Sequence, residues 1–163
     1  MRREASLSLA RFVAVMLPSA LLGGALVSQH VGGLFPCEMC LWQRWPHLGA
    51  IIAALLAIAL RKNPAMSATF TLLAALALAT SGGIGAFHAG VEYGWWQGIT
   101  SCASTASAAP GQSMLDSIMS ATLVRCDVAP WDLFGISLAG YNAIFSIGGA
   151  LLILLLVRKW SRS

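Results

Sequence analysis

The sequence predicts an all-α bundle of four membrane-spanning helices. Three observations predict it: an apolar surplus, four long apolar stretches, and cations gathered at the ends of those stretches. The 163 residues are 58% hydrophobic and only 10% charged, with a mean hydropathy of +0.76. Soluble domains carry about 25% charged residues. A chain this short has too little interior to hide such a surplus from water, so lipid is the solvent that accepts it. The length suits one domain, residues 1–163, with no room for a second.

The spans are expected at about 12–28, 41–60, 65–87 and 133–157. The first and third carry no charge, the second carries Arg44 near its start, and the last closes on Leu151-Leu152-Ile153-Leu154-Leu155-Leu156-Val157. About 20 helical residues cross a bilayer core, and helices are required because each backbone polar group must find its partner within the segment. Arg2 and Arg3 ahead of the first run imitate a signal peptide, but three further spans favour a retained anchor.

Charge gives the orientation. Arg2, Arg3, Arg11, Arg61, Lys62, Arg158, Lys159 and Arg162, out of ten Lys and Arg, gather at the two termini and the second connection. Four spans place these on one side, which the positive-inside rule makes cytoplasmic. Glu38, Glu92, Asp116, Asp127 and Asp132 fall on the other side. The cations are juxtamembrane anchors rather than one basic face, which argues against nucleic acid as a partner. Cys37, Cys40, Cys102 and Cys126 all face the oxidising compartment, where disulfides persist.

Between the spans, the first outer loop (29–40) is short, and Pro64 after Arg61-Lys62-Asn63 suits the first turn of a helix. The second outer loop (90–132) is long, as loops that carry function often are. Within it, residues 113–123 predict an amphipathic helix. Ser113 and Asp116 form a capping-box pattern, and Met114, Leu115, Ile118, Met119 and Leu123 share one face. That face lies on the membrane surface or caps the bundle. Trp42, Trp45, Trp95, Trp96, Trp131 and Trp160 fall near span ends, as interfacial aromatics do.

Cys37-Glu38-Met39-Cys40 is a CxxC at an expected helix start. A helix N-terminus stabilises thiolate, the species that attacks disulfides. A structural zinc site needs four ligands, and Cys102 and Cys126, 24 positions apart, form no second knuckle. Haem attachment needs His after the second cysteine, where Leu41 stands. Two static disulfides fit the same four cysteines. Arg44 lies one turn beyond Cys40 on the same helical face. A charge inside a span is costly. Arg44 either snorkels to the interface or stabilises a Cys40 thiolate and hydrogen-bonds the carbonyl oxygen of an acceptor. Gly82-Gly83-Ile84-Gly85 lies in an apolar span and reads as close helix packing.

Cys37-Glu38-Met39-Cys40-Leu41-Trp42-Gln43-Arg44 resembles the CxxCxxxR element of the disulfide bond formation protein B (DsbB) family. Cys126-Asp127-Val128-Ala129-Pro130-Trp131-Asp132-Leu133-Phe134-Gly135-Ile136-Ser137 resembles that family's passage into its fourth span. The resemblance covers nearly the whole chain. It implies a protein-disulfide:quinone oxidoreductase of the bacterial inner membrane, with the cysteines facing the periplasm. Cys37 and Cys40 would be the membrane-proximal redox pair, with Arg44 assisting at the quinone, ubiquinone or menaquinone. Cys102 and Cys126 would be the loop pair, Cys102 forming the mixed disulfide with a DsbA-like thioredoxin-fold partner. Such a partner is a strong oxidant, so its reoxidation needs a still more oxidising acceptor than glutathione. His88, near the outer end of the third span, is a candidate for a hydrogen bond to a quinone oxygen. His30 and His47 read as interfacial, and Glu38 opposes thiolate formation beside it.

Two other readings compete. A vitamin K epoxide reductase-like protein also joins a CxxC to quinone chemistry, but its loop cysteines usually precede the CxxC. A non-catalytic membrane scaffold or small transporter would hold the four cysteines in static disulfides.

Overall fold

A computed structural model describes residues 2–100, 103–104 and 123–162. Among these, four helices carry the fold: α1 (Arg2–His30), α2 (Glu38–Ala59), α3 (Pro64–Glu92) and α4 (Leu138–Arg162). Two small antiparallel ladders lie between α3 and α4. In the first, β1 (Ala103–Ser104) pairs with β2 (Leu123–Val124); in the second, β3 (Asp132–Leu133) pairs with β4 (Ile136–Ser137). Residues 113–122 of the expected amphipathic helix, Ser113 and Asp116 among them, lie outside the described residues, as does Cys102.

Local chemistry sets the helix starts. Asn63 caps α3, its side-chain oxygen accepting from the Met66 N–H at 3.2 Å, with Pro64 in the first turn, where a missing N–H costs nothing. At the other end of α3, Tyr93 closes the helix and Gly94 takes φ +71°, a left-handed conformation glycine adopts without strain. The last helix begins at Leu138, later than the expected 133, because residues 132–137 fold as the β3–β4 hairpin. Phe134 (φ 53°) and Gly135 (φ 75°) make its two-residue turn, the positive-φ pair whose twist suits a tight hairpin. Tyr93 fastens it, with its hydroxyl donating to the Gly135 carbonyl (3.2 Å) and accepting from the Ser137 N–H (3.1 Å).

The interior is made of small side chains. Ala10, Ala50, Ala54, Ala74 and Ala150 are buried, with Leu78 and Ile153 among them. Large apolar residues point outward: Phe12 is 60% exposed, Leu76 65% and Leu155 63%. Small residues inside and large ones outside is the pattern of helices packed in lipid, where apolar bulk gains nothing by turning inward. Helix α3 is central and packs most extensively on α2 and α4. Gly82 permits this, since a Cβ there would stand 2.7 Å from Ile147 Cγ1 and 3.1 Å from its backbone nitrogen.

Three helices, α1, α3 and α4, are long and apolar enough to cross a membrane. Helix α2 falls short of that measure because Gln43, Arg44 and His47 crowd its first half. The turn between α2 and α3 lies at the same end as the start of α1 and the end of α4. There Arg11 donates to Ser67 Oγ (3.4 Å) and Ser67 Oγ donates to the Ala57 carbonyl (2.7 Å). Cys37, Val91 and Cys126 gather at the opposite end.

Candidate functional site

Cys37 occupies the N-cap of α2 in extended conformation (φ −74°, ψ 174°), and its sulfur accepts from the Cys40 N–H at 3.3 Å. Capping brings the two sulfurs to the same face, 2.9 Å apart, with Cys37 donating to Cys40. That bond, and burial after it, hold the Cys37 thiol well above the ordinary thiol range. Negative charge on the pair therefore rests on Cys40, at the positive end of the helix dipole. Glu38 stands between them and is partly exposed.

His88 and Gln43 come together across the α2–α3 interface. His88 Nε2 lies 3.5 Å from Cys37 Sγ and 3.7 Å from Glu92 Oε1, and Gln43 Nε2 lies 2.9 Å from His88 Nδ1. The Gln43 amide nitrogen also donates to the Met39 carbonyl (3.1 Å). An amide NH2 only donates, so His88 Nδ1 accepts and its proton sits on Nε2, facing the sulfur. The Glu92 side chain is 2% exposed and its Oε2 has no partner among the described residues.

Arg44 reaches back to α1, donating to Gln29 Oε1 and, at 3.3 Å, to the Ala25 carbonyl. Those bonds fix the guanidinium at the wall of a cavity of about 280 Å³, which Cys40, Gln43, Glu92, His47 and Asn142 also line among apolar neighbours from α1 and α4. His47 is 4% exposed. It is thus a buried residue of the bundle and not the interfacial one its position near a span end suggested, because α2 turns it toward α3 and α4. His88 lines a second cavity of about 300 Å³, with Cys37, Cys40 and Arg125.

Cys126 is buried, packed with Cys37, Met39 and Val91. Thr100 Oγ1 donates to its sulfur at 3.2 Å. Asp127 beside it is exposed and paired with Arg125 through contacts of 2.8 and 2.6 Å, which hold its carboxyl below the usual range.

Cys37, Cys40 and His88 place three potential metal donors within 4.8 Å of one another. That is one fewer than a tetrahedral structural zinc set. Two sulfurs in contact, at a helix N-terminus and beside a cavity holding a cation, are suited to thiol–disulfide chemistry. An apolar cavity with polar groups at fixed points suits a small planar acceptor.

Of the residues singled out from sequence, Cys37, Cys40, Arg44, His88 and Cys126 converge on one end of the bundle. Gln43, His47, Ser81, Glu92 and Asn142 join them, though the sequence marked none of these as a site residue. The available signal was polarity inside apolar segments, which in a membrane bundle points inward by default.

The family model described as Disulfide bond formation protein DsbB matches residues 8–156. No curated protein and no solved structure matches the chain.

Proposed function

Because the chain belongs to the disulfide bond formation protein DsbB family, a family of membrane proteins that form disulfides, we propose that it is a protein-disulfide:quinone oxidoreductase. In this reading it reoxidises a DsbA-like thioredoxin-fold partner. The carrying observation is the Cys37–Cys40 pair, with sulfurs 2.9 Å apart, beside a cavity that Arg44 lines.

The partner's dithiol is oxidised by the Cys102/Cys126 disulfide, with Cys102 taking the mixed disulfide. The reduced loop pair then reduces the Cys37–Cys40 disulfide. Cys126 attacks Cys37, Cys40 leaves as thiolate, and Cys102 resolves the Cys37–Cys126 bond. The burial of Cys126 against Cys37 supports this exchange. Cys40 is the better leaving sulfur because the helix N-terminus stabilises its charge, and Arg44 one turn on adds a cation.

Reoxidation of Cys37 and Cys40 releases two electrons and two protons. A quinone in the cavity would accept both and become hydroquinone, while Arg44 binds a carbonyl oxygen. His88, with its proton on Nε2, keeps a donor against Cys37. The distribution of Lys and Arg supports cytoplasmic termini and periplasmic cysteines. The first outer loop would then be short and the second long, in a bacterial inner membrane.

The test mixes purified protein, reduced thioredoxin-fold dithiol protein and a short-chain ubiquinone. Quinone loss should match partner oxidation mole for mole and vanish in Cys40→Ser. A scaffold with static disulfides would oxidise no partner, and that result would end the proposal.

A further inference from the structure

His47 is the buried imidazole that the sulfur chemistry leaves unused, and its hydrogen bonds fix where its proton sits. The key is Asn142 on α4. Its Nδ2 donates to Gln43 Oε1 (2.7 Å) and to the carbonyl and Oγ of Ser81 (3.2 Å each). Asn142 Oδ1 is therefore the acceptor atom, and it takes hydrogen bonds from Ser146 Oγ (2.8 Å) and His47 Nε2 (2.9 Å). Ser81 Oγ also lies 3.0 Å from His47 Nε2, but its own proton goes to the Gln43 carbonyl at 2.8 Å, so it too can only accept from the ring. Both neighbours demand a proton on Nε2.

A neutral imidazole with its proton on Nε2 presents a bare lone pair at Nδ1. That atom is buried and has no hydrogen-bond partner among the described residues, a costly state for an acceptor. His47 lines the same cavity as Cys40 and Arg44, one turn deeper along α2 than Arg44. The ring's Nε2 is turned to Asn142 and Ser81, and Nδ1 is its nitrogen without a partner among the described residues.

We propose that His47 Nδ1 accepts a hydrogen bond from the hydroxyl of the reduced, hydroquinone form of the acceptor, so that the cavity holds hydroquinone more tightly than quinone. A quinone carbonyl has no proton to give, and its lone pairs meet the Nδ1 lone pair unfavourably. The hydroxyl made when Cys37 and Cys40 become a disulfide meets it favourably. A site that prefers the reduced form draws the electron transfer forward by that difference in affinity. The inference rests on the quinone reading above and adds to it a residue that discriminates product from substrate.

The test is equilibrium binding without turnover. The full chain carrying Cys37→Ser and Cys40→Ser is titrated anaerobically with a short-chain ubiquinone and, separately, with its hydroquinone, following tryptophan fluorescence. Adding His47→Leu should weaken hydroquinone binding about 3–10-fold, the value of one neutral hydrogen bond, and change quinone binding by less than about twofold. Equal losses for both forms, or no loss for either, would overturn the inference and leave the quinone reading standing. Binding of neither form to the parent double variant would overturn both.

A second measurement needs no substitution at His47. Nitrogen-15 histidine spectra of the Cys37→Ser, Cys40→Ser chain, which cannot reduce quinone, should show the His47 ring protonated at Nε2 and bare at Nδ1, with an Nδ1 signal that moves with hydroquinone and not with quinone. A proton on Nδ1 in the free protein, or equal response to both forms, contradicts the assignment.

Discussion

His88 Nε2 stands 3.5 Å from Cys37 Sγ, which ties the next-to-last turn of α3 to the residue that caps α2. The contact makes the sulfur pair part of a three-donor cluster with Cys40. Thiophilic metal ions should therefore bind the reduced protein and not the disulfide form. Zn²⁺ or Cd²⁺ is expected to stop turnover, a chelator to restore it, and His88→Ala to weaken the inhibition. Equal inhibition of the oxidised protein, read by metal retained after desalting, would place the metal elsewhere.

The two sulfurs of the CxxC should differ in reactivity, because only the thiolate is alkylated. Cys37 is held as thiol by its bond to Cys40 and by burial. Reduced protein at neutral pH should thus be modified at Cys40 first, as read by peptide mass spectrometry over time. The same shift has a sign for stability. A thiol whose folded pKa is raised keeps its proton better in the folded state. Its contribution is complete below the ordinary thiol pKa of about 8.5 and falls as pH rises beyond that. Reduced protein should lose thermal stability on moving to alkaline pH, and Cys37→Ala should lose less.

In the proposed reading, Arg44→Met removes a charge-assisted hydrogen bond to the acceptor, worth about 1.5–3 kcal/mol. Quinone-dependent kcat/KM should fall about 10–150-fold, while a single turnover of partner dithiol against the oxidised protein keeps its rate. If partner oxidation fell equally, Arg44 would be acting on exchange or on folding.

Cys126→Ser should trap the partner. The variant leaves Cys102 as a free thiol, which should attack the disulfide form of the partner and release the partner's second sulfur as thiolate; with no Cys126 to attack the Cys102 sulfur in turn, the covalent adduct should be seen on non-reducing gels. Cys102→Ser should give none.

Gly82 and Gly83 offer a packing control. A Cβ at Gly82 meets Ile147 on α4 at 2.7 Å, whereas one at Gly83 meets nothing within 4 Å. Gly82→Val should destabilise the bundle by about 1–3 kcal/mol through overpacking, with Gly83→Ala near neutral, both measured by thermal unfolding in detergent.

What could be read from sequence was what local chemistry sets. The CxxC at a helix start, the cation one turn beyond Cys40 and the apolar segments all depend on neighbours within a few positions. The start of α4 was misjudged because Leu133 extends an apolar run, while the turn-forming Phe134-Gly135 pair looks unremarkable until its dihedral angles are seen. His47 was assigned to the interface from its place near a span end. Its partners lie 34 and 95 positions away, on Ser81 and Asn142, and no local pattern announces such contacts. Glu92 looked like one more outward acid, yet its side chain is enclosed beside His88 at the end of α3.

The hairpin that Tyr93 fastens also acts as a mooring for the segment ahead of it. From Cys126 to the first hairpin residue, Asp132, is a tether of six residues, which even fully drawn out reaches about 20 Å. So short a leash keeps Cys126, packed against Cys37, within that reach of the hairpin.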